Sequence, residues 1–317
     1  MLKYVIRRTL QMIPLLFAIS IVIFTIIQAA PGGPEGTLLD RGMFVDPAAI
    51  DAYRARLGVD QPVYIQYFKW IGAMLTGDMG ISFQTQRPVF MMILERLPDT
   101  LRLMGLSFLV AAVIAIPLGV FSAVKQYSAF DFIATGASFV AIAMPVFWFG
   151  LMMQYFFSVK LQWLPVAGTV TVGVGGFVDE LKHIIMPATV LSLHSIAGWS
   201  RYMRSSMLGV LNQDYIRTAH SKGLRKRTVI TVHAVKNASI PVVSVMTLDI
   251  ARLFSGAVIT ETIFGWPGIG RMFIQAMHAR DYPLLMGIMM MGSTMVVVFN
   301  LVADVIYGWL DPRISYE

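Results

Sequence analysis

The 317 residues carry a formal net charge of +7, yet only 14% of them are charged, 56% are apolar and the mean hydropathy is +0.68. That balance excludes an ordinary soluble domain and predicts an all-α polytopic membrane protein; Lys and Arg gather in loops between apolar runs, which argues against a nucleic-acid-binding face. The absence of cysteine excludes a disulfide framework, a thiolate metal site and a cysteine nucleophile.

Lys3, Arg7 and Arg8 precede an apolar run over 9–30. At about 20 residues this run is a full span, longer than a signal-peptide core, and it predicts an uncleaved first helix entering from the cytoplasm. From 31 to 98 hydropathy drops and Gly, Pro, Asp and Arg occur together (PGGPEG, VDPAAIDAYRARLGVDQP, GDMGIS), which predicts a folded extracytoplasmic insertion. Within it, Asp46-Pro47 followed by Ile50, Tyr53, Leu57 and Gly58 reads as a short amphipathic helix. A second, over 64–75, carries Tyr67, Phe68, Trp70 and Ile71, the aromatic content of an interfacial anchor.

Five further spans are expected at 99–124, 132–159, 184–208, 241–263 and 284–310, one of them interrupted, making six transmembrane helices with the first. With the N-terminus inside, the loop cations Lys125, Arg201, Arg204, Arg217, Lys222, Arg225, Lys226, Arg227 and Lys236 and the tail residue Arg313 fall in the cytoplasm. The short outer loops keep Lys160, Lys182, Arg271 and Arg280, so the charge bias supports an N-in, C-in topology. The chain then divides into a first helix (1–30), the insertion (31–98), a transmembrane core (99–310) containing a basic loop at 209–240, and a short tail (311–317).

Catalytic patterns do not accompany this layout. There is no G-x-x-x-x-G-K-[ST] for a nucleotide, no H-E-x-x-H and no G-x-S-x-G, and the five histidines lack metal-ligand spacing. His194 is the one histidine inside an expected span, where it serves either a helix–helix hydrogen bond or a polar path. Ionisable residues in spans are costly, on the order of 2.5–3.5 kcal/mol each on insertion scales, and so are informative. Asp249 and Arg252 lie at i, i+3 on one face of the fifth span. They pair with each other or line a polar cavity through which solute passes. Trp199, Ser200 and Arg201 in the fourth span, and Asn300 and Asp304 in the sixth, are weaker candidates.

The basic loop has its own punctuation. Asp214 or Asn212 is positioned to cap a helix running through Ala219 to Lys222, and Gly223 supplies the residue type suited to a left-handed stop. A second short helix is expected from Arg225 to Lys236, breaking before Pro241. Such a helix–Gly–helix element is either an amphipathic surface helix on anionic lipid or a rigid contact element for another protein.

Several stretches carry a resemblance: LKYVIRRTLQMIPLLF, GDMGISFQTQRPV with ERLPDTLRL, SSMLGVLNQDYIRTAHSKGLRKRTVITVHAVKNASIPVV, TETIFGWPGIGRMFIQAMHARDYPLLMG and the terminal DPRI. In this order they resemble the permease subunits of ATP-binding-cassette importers of the dipeptide, oligopeptide and nickel branch, over nearly the whole chain. The resemblance implies a type I importer permease in the bacterial cytoplasmic membrane. It implies no bound cofactor and no catalysis in this chain, with ATP and Mg on two partner ATPases, a homologous second permease and an extracytoplasmic solute-binding protein. The basic loop is similar to the family's coupling helix, with Gly223 and Ala219 at its Gly and Ala positions and Arg217 and Thr218 where the general pattern has Glu and Ala. By that likeness Asp214, Tyr215, Arg217, Thr218, Ala219, Lys222 and Gly223 form the ATPase contact, while Asp249, Arg252, Trp199 and His194 are the pathway candidates. A gradient-driven transporter or channel, or an importer of another solute such as nickel or glutathione, are the alternatives.

Overall fold

The structure, a computed structural model, describes residues 2–30 and 60–310; the side chains of residues 2–5, 252, 255, 256 and 306–310 lie outside that description. The amphipathic helix expected at 46–58 and the tail at 311–317 fall outside the described residues. The helices are α1 (Leu2–Ala29), α2 (Val63–Leu75), α3 (Val89–Val124), α4 (Ala129–Ala143), α5 (Val146–Met153), α6 (Phe177–Leu211), α7 (Asp214–Ser221), α8 (Lys226–Thr228), α9 (Val235–Ile263), α10 (Ile269–His278) and α11 (Tyr282–Leu310). Among the described residues the one β feature is an isolated antiparallel bridge, Ile81 to Pro88.

By length and apolarity, four stretches among the described residues can cross a membrane: Ile6–Ala29, Val89–Val124, Lys226–Ala251 and Tyr282–Val305. The expected span at 132–159 is two helices, α4 and α5 with its π-helical extension Gln154–Lys160, bent by 105°, and is a fifth if counted as one broken span. The bend falls at Met144-Pro145. Proline lacks an N–H and disfavours the helical region for the residue before it, and Met144 is extended at φ −78°, ψ 124°. The expected span at 184–208 lies within the 35-residue α6, whose Asp179, Glu180, Lys182, Arg201 and Arg204 dilute its apolarity, and it is not among these stretches.

The chain forms two compact units, one built from Leu2–Asp99 and Pro267–Val297, the other from Thr100–Trp266 with the end of α11 from Val298. In the first, Ile23 and Phe24 of α1 pack with Tyr67 of α2 and with Met286 and Met290 of α11. Tyr67 is buried, its hydroxyl 2.8 Å from Ser20 Oγ and its ring edge-on to Phe24. It therefore belongs to the packing rather than to an interfacial belt, and Phe68 beside it stays exposed. The GDMGISFQTQRPV turn is held by the buried Asp281, whose carboxylate accepts from Ser82 Oγ at 2.5 Å and from the Phe83 N–H at 3.1 Å.

In the second unit α3 and α6 approach closely at Gly119, where an added Cβ would sit 2.5 Å from the Ser200 carbonyl oxygen and 2.6 Å from Met203 Cβ. The segment before α6 is fastened by Asp179, which accepts from the Thr171 N–H at 2.6 Å and from its hydroxyl at 2.7 Å. His183 stands between Thr171 Oγ1 and the Gly168 carbonyl, 3.1 Å from each. The expected short helix ending before Pro241 is corrected. Lys226–Thr228 continues through a π-helical Val229–Ala234 into α9, which passes Pro241 without a break. Membrane helices tolerate proline where neighbours satisfy nearby carbonyls, and Ser206 Oγ of α6 donates to the Ala238 carbonyl at 2.8 Å.

Gly119→Ala should cost about 1–3 kcal/mol through overpacking against backbone. The control Gly136→Ala meets nothing within 4 Å and should be neutral or mildly stabilising, as thermal unfolding of the purified protein will show. The two Thr171 donors hold the Asp179 carboxyl below its ordinary value of 3.8. A depressed value contributes stability above the ordinary value that is lost as pH falls through the folded one. Protection of the Thr171 amide against hydrogen exchange should therefore persist from neutral pH to about 4 and fall below that, with no such fall in Asp179→Asn.

Candidate lever helix and buried polar residues

Between α6 and α9 the chain breaks twice and leaves α7 as an independent eight-residue helix. The expected caps are corrected: Gln213, at φ −78° and ψ 150°, occupies the cap position without a side-chain bond. Asn212 instead folds its amide back onto the Leu208 carbonyl at 3.0 Å, a bond that terminates α6. Asp214 is the first helical residue, exposed and 3.6 Å from Arg217, where its charge complements the helix N-terminus. At the other end the Gly223 N–H bonds the His220 carbonyl and the Leu224 N–H bonds the Ala219 carbonyl. This is a Schellman stop, with Gly223 at φ +75° in the left-handed region that an L side chain resists.

The helix is anchored by two side chains. Ile216 and Ala219, at 2% and 8% exposure, enter a core with Met203 and Met207 of α6, Val229 and Ala234 of the π-turn, and Ala238 of α9. Burying Ile216 contributes about 2 kcal/mol. Tyr215, Arg217, Thr218 and Lys222 lie on the exposed surface with Asp214. Thr218 donates to the Asp214 carbonyl at 3.0 Å, leaving Tyr215 and Arg217 as the protruding groups best suited to contact.

The same core reaches the membrane-level polar residues. Trp199 is fully buried, its ring edge-on to Phe108 at 5.2 Å, and its indole N–H donates to Asp249 Oδ2 at 2.7 Å. Asp249 is half-buried on α9 and is thus oriented by a residue of α6. Trp199 stands behind it as a support rather than on an open surface. His194 is half-buried on α6. Arg252 follows Asp249 by three residues on α9, but its side chain lies outside the described residues.

Besides Asp179 and Asp281, described above, two further buried carboxylates were not singled out by the sequence. Asp131, near the start of α4, accepts from Nε–H and Nη2–H of Arg204 of α6 at 2.6 and 2.7 Å and from the Tyr127 N–H at 3.0 Å. Glu261, fully buried at the end of α9, accepts from Thr100 Oγ1 at 2.7 Å. The Ser128-x-x-Asp131 capping pattern was readable, and Ser128 does accept from the Asp131 N–H. The partner 73 residues away carried no local signal.

Residues 115–316 match the family described as binding-protein-dependent transport system inner membrane component, and residues 1–104 match its N-terminal companion. The chain is 43% identical to the oligopeptide transport system permease protein AppB of Bacillus subtilis, with 100% of both chains covered. It is 38% identical to the dipeptide transport system permease protein DppB of Escherichia coli K12, again with 100% of each covered. It is also 37% identical to the di/tripeptide permease DppB of Pseudomonas aeruginosa, with full coverage of both. Among solved structures, the inward-facing MetNI methionine ABC transporter gives a TM-score of 0.57 at 13% identity, covering 69% of this chain and 96% of that one, a likeness of fold. The chain belongs to the binding-protein-dependent transport system inner membrane component family and is a multi-pass protein of the inner membrane.

Trp199→Phe keeps an aromatic ring but removes the donor to Asp249. It should lower stability by about 1–3 kcal/mol, read as a fall in the thermal midpoint of the purified protein. Asp249→Asn keeps an acceptor for the indole and should lose less.

Proposed function

We propose, on the premise of that family membership, that this chain is one of two homologous permease subunits of an ATP-driven importer of peptides of the dipeptide and oligopeptide class. Its relatives are peptide permeases along their full length, which supports that solute class. Six spans with both termini in the cytoplasm, the type I permease arrangement, place the basic loop inside and the 31–98 insertion outside, as the Lys and Arg distribution requires. A solute-binding protein delivers solute from outside. Two ATPase subunits, holding ATP and Mg, act on the inner face, and this chain catalyses nothing itself.

The observation that carries the reading is α7: a short helix freed at both ends, anchored by Ile216 and Ala219, with Asp214, Tyr215, Arg217, Thr218 and Lys222 facing outward. A helix so built transmits displacement, because its apolar face shares one core with Trp199 and hence with Asp249. ATPase closure pushes α7; the core carries the push to α6 and α9, and the pathway changes the side to which it opens. Asp249, held by Trp199, presents a carboxylate to the solute's amino terminus, with Arg252 and His194 along the same route. Gly223 sets the angle at which α7 leaves for α9.

In proteoliposomes containing the whole importer, Ile216→Ser should loosen this anchor. Peptide uptake should fall about tenfold or more while basal ATP hydrolysis stays within about twofold. A cysteine at Arg217 should crosslink to an ATPase subunit. Uptake by this chain and its permease partner without ATPases, driven by an ion gradient, would refute the proposal.

A further inference from the structure

We propose that Arg201 binds the carboxylate of the solute during its passage, an assignment that rests on the peptide reading above. Arg201 and Arg204 stand three residues apart on α6, yet the protein serves them differently. Arg204 is paired with Asp131 through two N–H···O bonds. Arg201 is exposed, and among the described residues no carboxylate lies within ion-pair distance of it. Its guanidinium lies over the ring of Phe139, 4.4 Å from the centroid.

The position of Phe139 gives the depth. It stands eight residues beyond Asp131 on α4, roughly 12 Å along the helix axis. The Arg201 guanidinium is thus carried into the span, away from the end at which Asp131 and Arg204 meet. A cation seeking lipid headgroups reaches toward a helix end, whereas one held at depth on an aromatic face requires an aqueous path or an anionic ligand. Stacking occupies a face of the guanidinium and leaves its in-plane N–H edges for a planar anion, and a carboxylate matches that fork with two parallel bonds. A peptide carries one carboxylate at its C-terminus and one ammonium at its N-terminus.

The test uses the complete importer in proteoliposomes and two probes, the dipeptide Ala-Phe and its C-terminal amide. The ratio of their initial uptake rates is compared between the unaltered protein and Arg201→Gln. Because the binding protein is the same in both, its own preference cancels. The preference for the free carboxylate should fall about tenfold in Arg201→Gln, with Arg201→Lys intermediate and Phe139→Leu reduced in the same direction. An unchanged ratio in Arg201→Gln overturns the assignment. So does failure of Arg201→Gln and Arg201→Lys to assemble with the second permease, which would assign the guanidinium to a protein carboxylate. If the unaltered importer carries neither probe nor any other peptide, the peptide reading itself falls.

Discussion

A buried indole that must find an acceptor organises much of the larger unit. Trp199 is sealed at 0% exposure, where an unbonded N–H would be costly, and it solves this by donating to Asp249 on another helix. That bond fixes α6 and α9 in register. Around it the apolar core extends from Ala111 and Ala115 of α3, past Met203 and Met207, to Ile216 and Ala219 of α7. One continuous packed body therefore joins Trp199, which holds Asp249, to a short helix whose other face is exposed and charged. Packed cores move as discrete bodies rather than deforming smoothly, which is the property the proposed transmission from α7 draws on.

Polar groups elsewhere follow the same logic, each unit settling its own. Asp131 answers Arg204, Thr100 answers Glu261 and Thr171 answers Asp179 in the larger unit, while Asp281 gathers Ser82 and Phe83 in the smaller. Against that background of satisfied carboxylates, Arg201 is conspicuous for resting on a ring instead of an acid.

Much of this was legible in the residue order. Gly223 as a left-handed stop, the break before α7, the presence of one interrupted span and the likeness to importer permeases all rest on local chemistry: φ limits, proline's missing donor and runs of apolar residues. The cap at Gln213 was misread because Asn212 and Asp214 are both better cap formers. Competition from the Leu208 carbonyl, which draws the Asn212 amide backward, is invisible without the fold. The continuation of α9 through Pro241 was misread for a related reason, since a proline breaks a helix unless neighbours relieve it, and Ser206 comes from another helix.

Composition and order determined the class: apolar stretches of sufficient length, charge bias, no catalytic motif and a punctuated basic loop. These properties follow from neighbours in the chain, at distances set by covalent geometry. Tertiary structure decided the pairings: which acid meets Arg204, which carboxylate receives Trp199, which face of α7 is anchored and which arginine is left stacked on Phe139. Those choices span 73 residues for Asp131–Arg204, 50 for Trp199–Asp249 and 161 for Thr100–Glu261. Selection of a partner at such separations depends on how helices pack, and helix packing is set by all the side chains at the contact together.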